Sequence, residues 1–330
     1  MQYRELGETG IRVSRIAFGC GPVSGWMEEL DPDDQCLVIR YAIDLGINWF
    51  DTAAGYGDGK SEATLGAALG RLGRPTGIHI ATKVRYPAER LGDIRKHTRA
   101  SLAASLKRLG TEQITLLQLH NFITVSRGDE TTSITPHDVL GKDGVLEAFR
   151  ELQAEGIVQH IGLTGIGQPG PLREVVSSGE FTTIQVPYNL LNPSAGQPMP
   201  DGFPETDYGN IIARCEPQRM GVFAIRVFAG GALIGNPPSA HTLKTPFFPL
   251  DLYELDRRRA ARLSAFLPTG QSLHAAALQF ALAHPGVTTA IIGFRTTREI
   301  AAAAASLASP FPVDDLAAAA RLVWYVQKSK

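Results

Sequence analysis

Residues 46–69 read GINWFDTAAGYGDGKSEATLGAAL, and this stretch determines how the fold is interpreted. Its first part, residues 47–50, is a short apolar run typical of a buried strand. A glycine-rich loop follows, and residues 61–72 then carry apolar side chains at helical spacing. Asp51 and Tyr56 lie directly after the strand. Strand, loop and helix in this order predict one βα unit that presents polar side chains beyond the carboxyl end of its strand.

The same unit recurs along the chain. Helical patterns over residues 32–45, 61–72, 93–109 and 144–155 separate several short apolar runs. Most of these runs lack strict alternation, which is typical of strands covered on both faces. Repeated strand–helix alternation predicts the α/β class and a closed (β/α)8 TIM barrel of parallel strands. The eight runs are residues 16–18, 47–50, 78–81, 114–119, 157–163, 183–186, 222–227 and 288–291.

Several segments extend the repeat. Residues 8–10 predict the turn of a short N-terminal hairpin, which would close the bottom of the barrel. Residues 313–327 predict an extra C-terminal helix, because their apolar side chains recur at helical spacing. Residues 189–207 and 235–249 are rich in proline and glycine and predict long functional loops. Since no linker divides the chain, we expect residues 1–330 to form a single barrel domain.

Composition excludes several classes of partner. The 32 basic and 33 acidic residues give a formal net charge of -1, so long-range attraction to nucleic acid is not expected. Cys20, Cys36 and Cys215 lie outside any metal or redox spacing and predict reduced thiols without a metal site. No stretch approaches the roughly 20 apolar residues of a membrane span, and the N-terminus lacks the apolar region of a signal peptide. We therefore expect a cytoplasmic protein.

Polar side chains also follow the third and fourth predicted strands. Lys83 follows IHIAT, and His120 ends LLQLH. Because the carboxyl ends of barrel strands meet on one face, we expect both to lie near Asp51 and Tyr56. A phenol is a poor proton donor at pH 7 unless a nearby cation stabilises its ionised form. Lys83 could supply this cation to Tyr56. Asp51 would keep Lys83 charged and fix its position. A neutral His120 could orient a carbonyl oxygen. We refer to these four residues as the tetrad.

Each member of the tetrad also has a structural interpretation when taken alone. Asp51 could cap a helix, Tyr56 could be a loop aromatic, and His120 could be a hydrogen-bonded core residue. A charged lysine at the end of a buried strand is harder to explain without a partner. Their occurrence at successive strand ends favours a common site that polarises a carbonyl and delivers a proton to it. Hydride transfer is the natural partner of that reaction.

The opening stretch resembles the signature of the aldo-keto reductases, in which a strand-end DTA precedes YG and then SE-x-x-LG. EGIVQHIGLTGIG, IQVPYNLLNP, VFAIRVFAGGALIG and AIIGFRTTREI are similar to the fifth to eighth strands of that family. The resemblance covers roughly residues 3–305. It implies an NAD(P)(H)-dependent barrel enzyme that reduces aldehydes or ketones to alcohols without a metal. In this role Tyr56 is the general acid, Lys83 and Asp51 assist it, and His120 orients the carbonyl.

The resemblance also implies contacts to the nicotinamide half of the cofactor. Thr164 and Gln185 match positions that hold the carboxamide. Ile225 stands where an aromatic residue usually stacks on the nicotinamide, and Arg226 replaces a serine. Arg226 could reach the pyrophosphate as a fixed cation, and Gly230 would allow close approach of the backbone to phosphate.

The eighth strand bears on the choice between NADP and NAD. Gly293, Phe294, Arg295 and Arg298 lie at a predicted helix start, where backbone donors and guanidinium groups suit the 2′-phosphate of NADP. Glu299 instead suits the free ribose hydroxyl of NAD. The two arginines favour NADP(H), with NAD(H) as the alternative.

The substrate is outlined only by aromatic residues. Trp26, Tyr86 and Phe122 are expected near the tetrad, where they would form an apolar mouth. A neutral aldehyde, ketone or open-chain sugar fits such a mouth, and no arginine clamp for an anion is evident unless Arg85 or Arg127 serves. Two alternatives stay open. One is an NAD-dependent aldose dehydrogenase running oxidatively, and the other is a non-catalytic nicotinamide-binding subunit of the same fold. Oligomeric state and reaction direction are not predicted.

Overall fold

The computed structural model describes residues 1–245, 248–308 and 313–325. Within these ranges, eight parallel strands close into a barrel in the order β3-β4-β5-β6-β9-β10-β11-β12 and back to β3. In chain order the strands are β1 (Tyr3–Glu5), β2 (Arg12–Ser14), β3 (Ile16–Gly19), β4 (Trp49–Asp51), β5 (His79–Val84), β6 (Ile114–Leu119), β7 (Phe122–Ile123), β8 (Ser133–Ile134), β9 (Val158–Thr164), β10 (Thr183–Pro187), β11 (Gly221–Ile225) and β12 (Thr289–Ile292).

The predicted (β/α)8 barrel is confirmed, and each of the eight apolar runs falls on one barrel strand. The barrel closes where β12 pairs with β3, with Ala290 opposite Ile16 and Ile292 opposite Phe18. β10 and β11 are buried along most of their length, since helices cover the outside and side chains fill the inside. This double cover explains why the strands are nearly continuous hydrophobic runs.

Helices form the outer layer, and local sequence sets several of their ends. Asp31 caps α2 by accepting hydrogen bonds from the backbone of Asp33 and Asp34, and Pro32 occupies the first turn. Gly110, with φ of 64°, ends α4 in the left-handed conformation. The helices are α1 (Trp26–Glu29), α2 (Pro32–Asp44), α3 (Lys60–Arg71), α4 (Ile94–Leu109), α5 (Pro136–Leu140), α6 (Val145–Ala154), α7 (Pro169–Ser177), α8 (Ile212–Cys215), α9 (Leu250–Leu263), α10 (Leu273–Ala283), α11 (Thr297–Ser306) and α12 (Val313–Val323).

The N-terminal hairpin closes the bottom of the barrel, as the sequence predicts. β1 and β2 pair antiparallel, with Glu5 opposite Arg12. Leu6 and Val13 belong to a buried cluster with interior residues of five barrel strands, among them Trp49. The opposite end of the barrel, where the carboxyl ends of the strands lie, therefore carries the tetrad.

Other parts of the chain depart from the simple repeat. The two-residue strands β7 and β8 pair with each other beyond the fourth barrel strand, and the sequence did not predict them. The C-terminal helix is confirmed for Val313–Val323, whereas the last two residues of the predicted segment, Val326 and Gln327, lie outside the described residues. So do residues 246–247 of the second long loop. None of the described helices is both long enough and apolar enough to cross a membrane.

Candidate active site

Lys83 is the centre of the candidate site. It lies in β5 with its side chain almost completely buried, at 1% exposure. Its Nζ is 2.5 Å from Oδ1 of Asp51, the last residue of β4, and 3.2 Å from Oη of Tyr56. It also donates to the backbone carbonyl of Thr52 at 2.8 Å. The structure thus brings three of the four predicted side chains into one hydrogen-bonded group.

The charge of Lys83 is maintained by its neighbours. Burial lowers the pKa of the lysine, but the nearby Asp51 and the oxygen of Tyr56 raise it, and the net pKa is above its usual value. The group is therefore an ammonium ion throughout the neutral pH range. This ammonium ion is in hydrogen-bond contact with the phenol oxygen of Tyr56.

His120 completes the tetrad. Its imidazole stands edge-on to the ring of Tyr56, with ring centroids 5.6 Å apart and an interplanar angle of 84°. Burial, helped by the cations of Arg85 and Lys83, holds the pKa of His120 well below its usual value. The imidazole is therefore neutral near pH 7 and can donate a hydrogen bond from one nitrogen without competing for the proton of Tyr56.

Two glutamines hold the second carboxylate oxygen of Asp51. Gln118 Nε2 donates to Asp51 Oδ2 at 3.1 Å, and Gln185 Nε2 donates to the same oxygen. Gln185, expected at the carboxamide of the cofactor, thus also supports the tetrad. Gln118 was missed by the sequence interpretation, although a polar residue inside the apolar run LLQL was the available signal. Because Lys83 donates to Oδ1, both oxygens of the Asp51 carboxylate accept hydrogen bonds.

Next to Gln185 lies a polar group without a partner. Thr164 pairs in register with Gln185, and its Oγ1 is buried with no hydrogen-bond partner within the described residues. Buried hydroxyls are normally hydrogen-bonded, so this one suits a bound polar group such as a carboxamide. Farther along the rim, Gly230 has φ of 71°, a left-handed conformation that leaves the backbone open to close approach.

Ile225 and Arg226 lie at the carboxyl end of the seventh barrel strand. Ile225 ends β11 and is half-buried. Arg226 has φ of 55°, and its guanidinium carbon lies 3.7 Å from the ring centroid of Phe248. Burial lowers the pKa of Arg226, and nearby Asp256 opposes this effect. The guanidinium thus stacks on an aromatic ring within the protein, a contact that the sequence did not predict.

The residues after β12 are divided between core and surface. Gly293 is exposed, whereas Phe294 is buried and packs on Phe18 with ring centroids 5.6 Å apart. The phenyl ring of Phe294 is therefore a core element. Arg295 forms an ion pair with Glu29, with Nη1 and Oε2 2.5 Å apart.

Arg298 and Glu299 open α11. Arg298 is exposed and forms no ion pair with any described residue. Glu299 accepts hydrogen bonds from the backbone of Arg295 at 2.7 Å and of Thr296 at 3.0 Å, and Thr296 caps the helix in return. This reciprocal capping box occupies the carboxylate of Glu299.

The three predicted substrate-pocket aromatics have different positions. Trp26 is buried and packs edge-on against Phe18. Tyr86 is buried too, and its hydroxyl lies 2.6 Å from Thr98 Oγ1 in α4. Both rings are placed in the packed interior by the hydrophobic effect, and only Phe122 of the three keeps part of its surface exposed.

Helix α3 connects the strand ends that carry the tetrad. Ser61 Oγ lies 2.7 Å from Thr52 Oγ1, the residue after Asp51. Glu62 is fully buried, accepts a hydrogen bond from Thr82 Oγ1, and receives Arg108 Nε at 2.7 Å. We call these five residues the α3 brace. It holds the end of β4 through Ser61 and the end of β5 through Glu62.

A separate cavity of about 450 Å³ lies between α7 and the segment before α8. Arg173, Asp207, Asn210 and Arg214 are among its lining residues, and no tetrad member is. We place the chemistry at the tetrad, because only there do a buried cation, a phenol and a neutral imidazole meet among the described residues. The same residues contain no group of three or more His, Cys, Asp or Glu side chains placed to hold a metal ion.

The chain is similar to known proteins along most of its length. The model of the Aldo/keto reductase family matches residues 15–323. The chain belongs to the aldo/keto reductase family. Among its relatives, L-galactose dehydrogenase of Arabidopsis thaliana is 27% identical over 305 residues, which is 91% of this chain and 86% of that protein. D-threo-aldose 1-dehydrogenase of a Pseudomonas species is 28% identical over 316 residues, 86% of each chain.

A solved aldo-keto reductase has the same fold. The chain is similar to the holo form of AKR11C1 from Bacillus halodurans with a TM-score of 0.71 and 24% sequence identity. The similarity covers 98% of this chain and 96% of that one. At this level of identity the likeness bears on the fold alone, and it agrees with the closed eight-stranded barrel.

Proposed function

We propose that this family member is an NAD(P)(H)-dependent oxidoreductase that reduces aldehyde or ketone carbonyls to alcohols, with Tyr56 as the general acid. The observation that carries the proposal is the buried ammonium of Lys83, which lies 3.2 Å from Tyr56 Oη and is held by Asp51. An ammonium in hydrogen-bond contact with a phenol suits proton delivery.

The residues near the tetrad fit a nicotinamide cofactor, which when bound supplies or accepts the hydride. The orphaned hydroxyl of Thr164, beside Gln185, would bind the carboxamide. Ile225 would cover the ring by apolar contact, and Gly230 would admit a phosphate group against its backbone. Arg226 would face the pyrophosphate, with its guanidinium oriented by Phe248.

The tetrad residues have distinct tasks in this proposal. Tyr56 gives its proton to the oxygen of the substrate carbonyl, and the ammonium of Lys83 stabilises the phenolate that remains. Asp51 keeps Lys83 charged and in place. His120, being neutral, donates a hydrogen bond to the same carbonyl oxygen and orients it. Tyr56 recovers a proton from solvent after the alcohol leaves.

We further propose that NADP(H) is preferred over NAD(H). Glu299 was the residue that suggested NAD, but its carboxylate is engaged in the capping box of α11. Arg298, exposed in the first turn of the same helix, would meet a 2′-phosphate near the positive end of the helix dipole. The same observation weakens the NAD-dependent sugar dehydrogenase alternative.

The Arg298→Gln variant tests the cofactor proposal. We expect its Kd for NADPH to rise about tenfold, the effect of one charge-assisted hydrogen bond, while its Kd for NADH stays within about twofold. Cofactor fluorescence titration measures both constants. Arg90→Gln, which removes an exposed arginine from another loop, is the matched control. Equal weakening of both cofactors in Arg298→Gln would contradict the proposal.

The names of the relatives bear on the substrate. Two of them are sugar dehydrogenases by name, so open-chain sugars belong in any substrate panel. The second alternative, a binding subunit without turnover, is not favoured, because it gives no role to the Lys83–Asp51–Tyr56 group.

Turnover by wild type and Tyr56→Phe tests the main proposal. The loss of reduced-nicotinamide absorbance is measured with NADPH and NADH against a panel of small aldehydes, ketones and sugars. We expect Tyr56→Phe to lose about 10²–10⁴-fold in kcat while its Kd for the cofactor stays within about twofold. Cofactor binding by wild type without turnover of any panel member would count against the reductase.

A further inference from the structure

The cavity between α7 and the segment before α8 has a fixed wall. The backbone N–H of Tyr208 donates to Ser194 Oγ at 3.0 Å, and the backbone N–H of Asn210 donates to the Ser194 carbonyl at 2.8 Å. Ser194 is fully buried, so water does not compete for these two bonds. The backbone N–H of Ile212 donates to the Ala195 carbonyl at 2.9 Å. The wall is therefore held in place before a ligand binds, which reduces the entropy lost on binding.

Gly209 sets the distance between this wall and α7. It has φ of 65°, in the left-handed region that glycine adopts without strain. A Cβ at this position would lie 2.7 Å from Cβ of Pro169, the first residue of α7, which is closer than van der Waals contact allows. The same point lies 3.4 Å from Nη1 of Arg173. The glycine thus brings the wall against α7 and places the guanidinium of Arg173 at the edge of the cavity.

The lining of the cavity has an excess of positive charge. Arg173 and Arg214 line it together with one carboxylate, that of Asp207, and the other five lining residues are uncharged. Neither arginine forms an ion pair or a side-chain hydrogen bond with any residue in the described ranges. Asp207 Oδ1 accepts a hydrogen bond from the backbone of Gly209 at 2.7 Å, whereas Oδ2 accepts none from the described residues. Two guanidinium groups on one small cavity repel each other, and an anion placed between them would remove this repulsion.

We propose that this cavity is a second ligand site, separate from the tetrad, that binds a small phosphate ester carrying a free hydroxyl group. Arg173 and Arg214 would bind the phosphate, and Oδ2 of Asp207 would accept a hydrogen bond from the hydroxyl. The volume of about 450 Å³ falls within the range of small-molecule pockets, which is about 300–1,000 Å³. This site goes beyond the proposed function, because no tetrad residue lines it.

A phosphate ester fits this lining better than a carboxylate or a neutral sugar. A phosphate monoester carries about −1.5 to −2 charges near pH 7 and has three acceptor oxygens, enough for both guanidinium groups. A carboxylate has a single charge and two oxygens, which one guanidinium already satisfies. A neutral sugar would leave both cations uncompensated. Asp207 repels any anion that brings no donor, so the hydroxyl of the ligand turns an unfavourable neighbour into a hydrogen-bond partner.

The first test is isothermal titration calorimetry with glycerol 3-phosphate, which has no carbonyl group and so cannot be reduced. Wild type, Arg173→Gln and Arg214→Gln are titrated without nicotinamide cofactor. We expect the Kd to rise about tenfold or more in each variant, because each loses a charge-assisted hydrogen bond to phosphate. Arg298→Gln is the matched control. It removes an exposed arginine from the proposed cofactor site and should keep the wild-type Kd within about twofold.

The second test examines the hydroxyl group of the ligand with inorganic phosphate, which lacks the glycerol part. We expect wild type to bind glycerol 3-phosphate about tenfold more tightly than phosphate, through the hydrogen bond to Asp207. Asp207→Asn keeps an oxygen for the backbone of Gly209 but replaces the second acceptor with a donor. This variant should lose the preference for glycerol 3-phosphate, while phosphate binds at least as tightly as in wild type because a repelling charge is gone.

Several results would overturn the inference. If wild type binds neither compound, or if Arg173→Gln and Arg214→Gln bind glycerol 3-phosphate as tightly as wild type, the cavity is not a phosphate site. If Arg298→Gln alone loses binding, the phosphate occupies the proposed cofactor site instead. Equal affinity of wild type for phosphate and glycerol 3-phosphate would contradict the assigned ligand class. Since these titrations contain no cofactor, failure of the reductase proposal would leave the expected results unchanged.

Discussion

At the scale of single residues, the ion pair of Lys83 and Asp51 shows how a charge is kept inside a barrel. The lysine is desolvated, but a carboxylate, a carbonyl and a phenol oxygen surround its Nζ. Removing one member of a buried pair leaves the other charge without compensation, which costs about 3–5 kcal/mol. The Lys83–Asp51 ion pair is therefore needed for the stability of the folded protein as well as for the proposed reaction.

We predict that Lys83→Met lowers the free energy of unfolding by about 3–5 kcal/mol and that adding Asp51→Leu recovers part of this loss. The double variant has neither of the two charges of this pair left to desolvate. Urea unfolding followed by tryptophan fluorescence measures both values. Lys60→Met, which removes an exposed lysine at the start of α3, should change stability by less than about 0.5 kcal/mol. A double variant less stable than Lys83→Met would contradict the explanation.

His120 makes stability depend on pH. Its pKa is held well below 6.5 in the folded protein, so the unfolded chain binds more protons below about pH 6.5. Stability therefore falls as pH falls through that range. We expect His120 to lower the free energy of unfolding as pH falls from 7 to 5, so that His120→Asn is destabilised less than wild type over this range. The raised pKa of Asp256, about 7, acts in the opposite direction in both proteins. A residual slope is expected, because four other histidines have lowered pKa values: His79, His160, His241 and His274. Equal slopes would contradict the assignment.

Single residues also show where sequence interpretation succeeds. The tetrad could be proposed because each member lies at or just beyond the end of an apolar run, and the structure brings the four side chains together. Trp26 and Tyr86 were expected at an apolar mouth, but both rings are buried in the packed interior. An aromatic ring after a strand suits both environments, so the sequence did not distinguish them. Gln118 was missed because it is uncharged, and a single glutamine between leucines does not by itself indicate a functional site.

At the level of secondary-structure elements, the third barrel strand shows why the ends of strands were harder to predict from the sequence than their presence. The sequence ended the apolar run of this strand at residue 81, directly before the polar Thr82 and Lys83. In the structure β5 continues to Val84, since Asp51 compensates the charge of Lys83 inside the barrel. β7 and β8 have only two residues each, too few to show any periodicity.

The α3 brace gives an element-scale prediction. Thr82→Val keeps the shape of the side chain but leaves a buried oxygen of Glu62 without its donor. We expect unfolding free energy to fall by about 1–3 kcal/mol and kcat to fall, because β5 would hold Lys83 less firmly. Cofactor affinity should not change. Thr82→Ser keeps the hydroxyl and should restore kcat toward wild type, as measured by steady-state kinetics and urea unfolding. Loss of kcat in Thr82→Ser equal to that in Thr82→Val would contradict the role of the hydroxyl.

At the scale of the whole molecule, Arg15 connects the beginning of the barrel to its end. Its guanidinium donates to the carbonyl of Val287 at 2.8 Å, to that of Thr288 at 2.6 Å, and to that of Leu282. These contacts bridge the start of β3 and the segment that leads into β12. The sequence could not reveal them, because their partners are backbone carbonyls more than 260 positions away.

We predict that Arg15→Met lowers the free energy of unfolding by about 1.5–3 kcal/mol, since it leaves the carbonyls of residues 282, 287 and 288 without this donor. Arg12→Met is the matched control three residues earlier. It removes an exposed ion pair with Glu5 and should cost no more than about 1 kcal/mol. Urea unfolding of wild type and the two variants measures the loss of unfolding free energy. If Arg15 only forms surface contacts, both variants should show the same small loss, and the barrel-closing role would be contradicted.

The pairing of β3 with β12 has a consequence for how the nascent chain is made. β12, the partner of β3, follows it by more than 250 residues in the chain. At translation rates of about 5–20 residues per second, β12 is therefore synthesised roughly 15–55 s after β3. Throughout that interval one edge of β3 lacks its neighbour, and an unpaired strand edge can recruit other chains. The yield of folded protein in a cell should therefore depend on translation speed and on chaperones that cover the unpaired edge of β3. It should depend much less on the free energy of unfolding of the folded barrel.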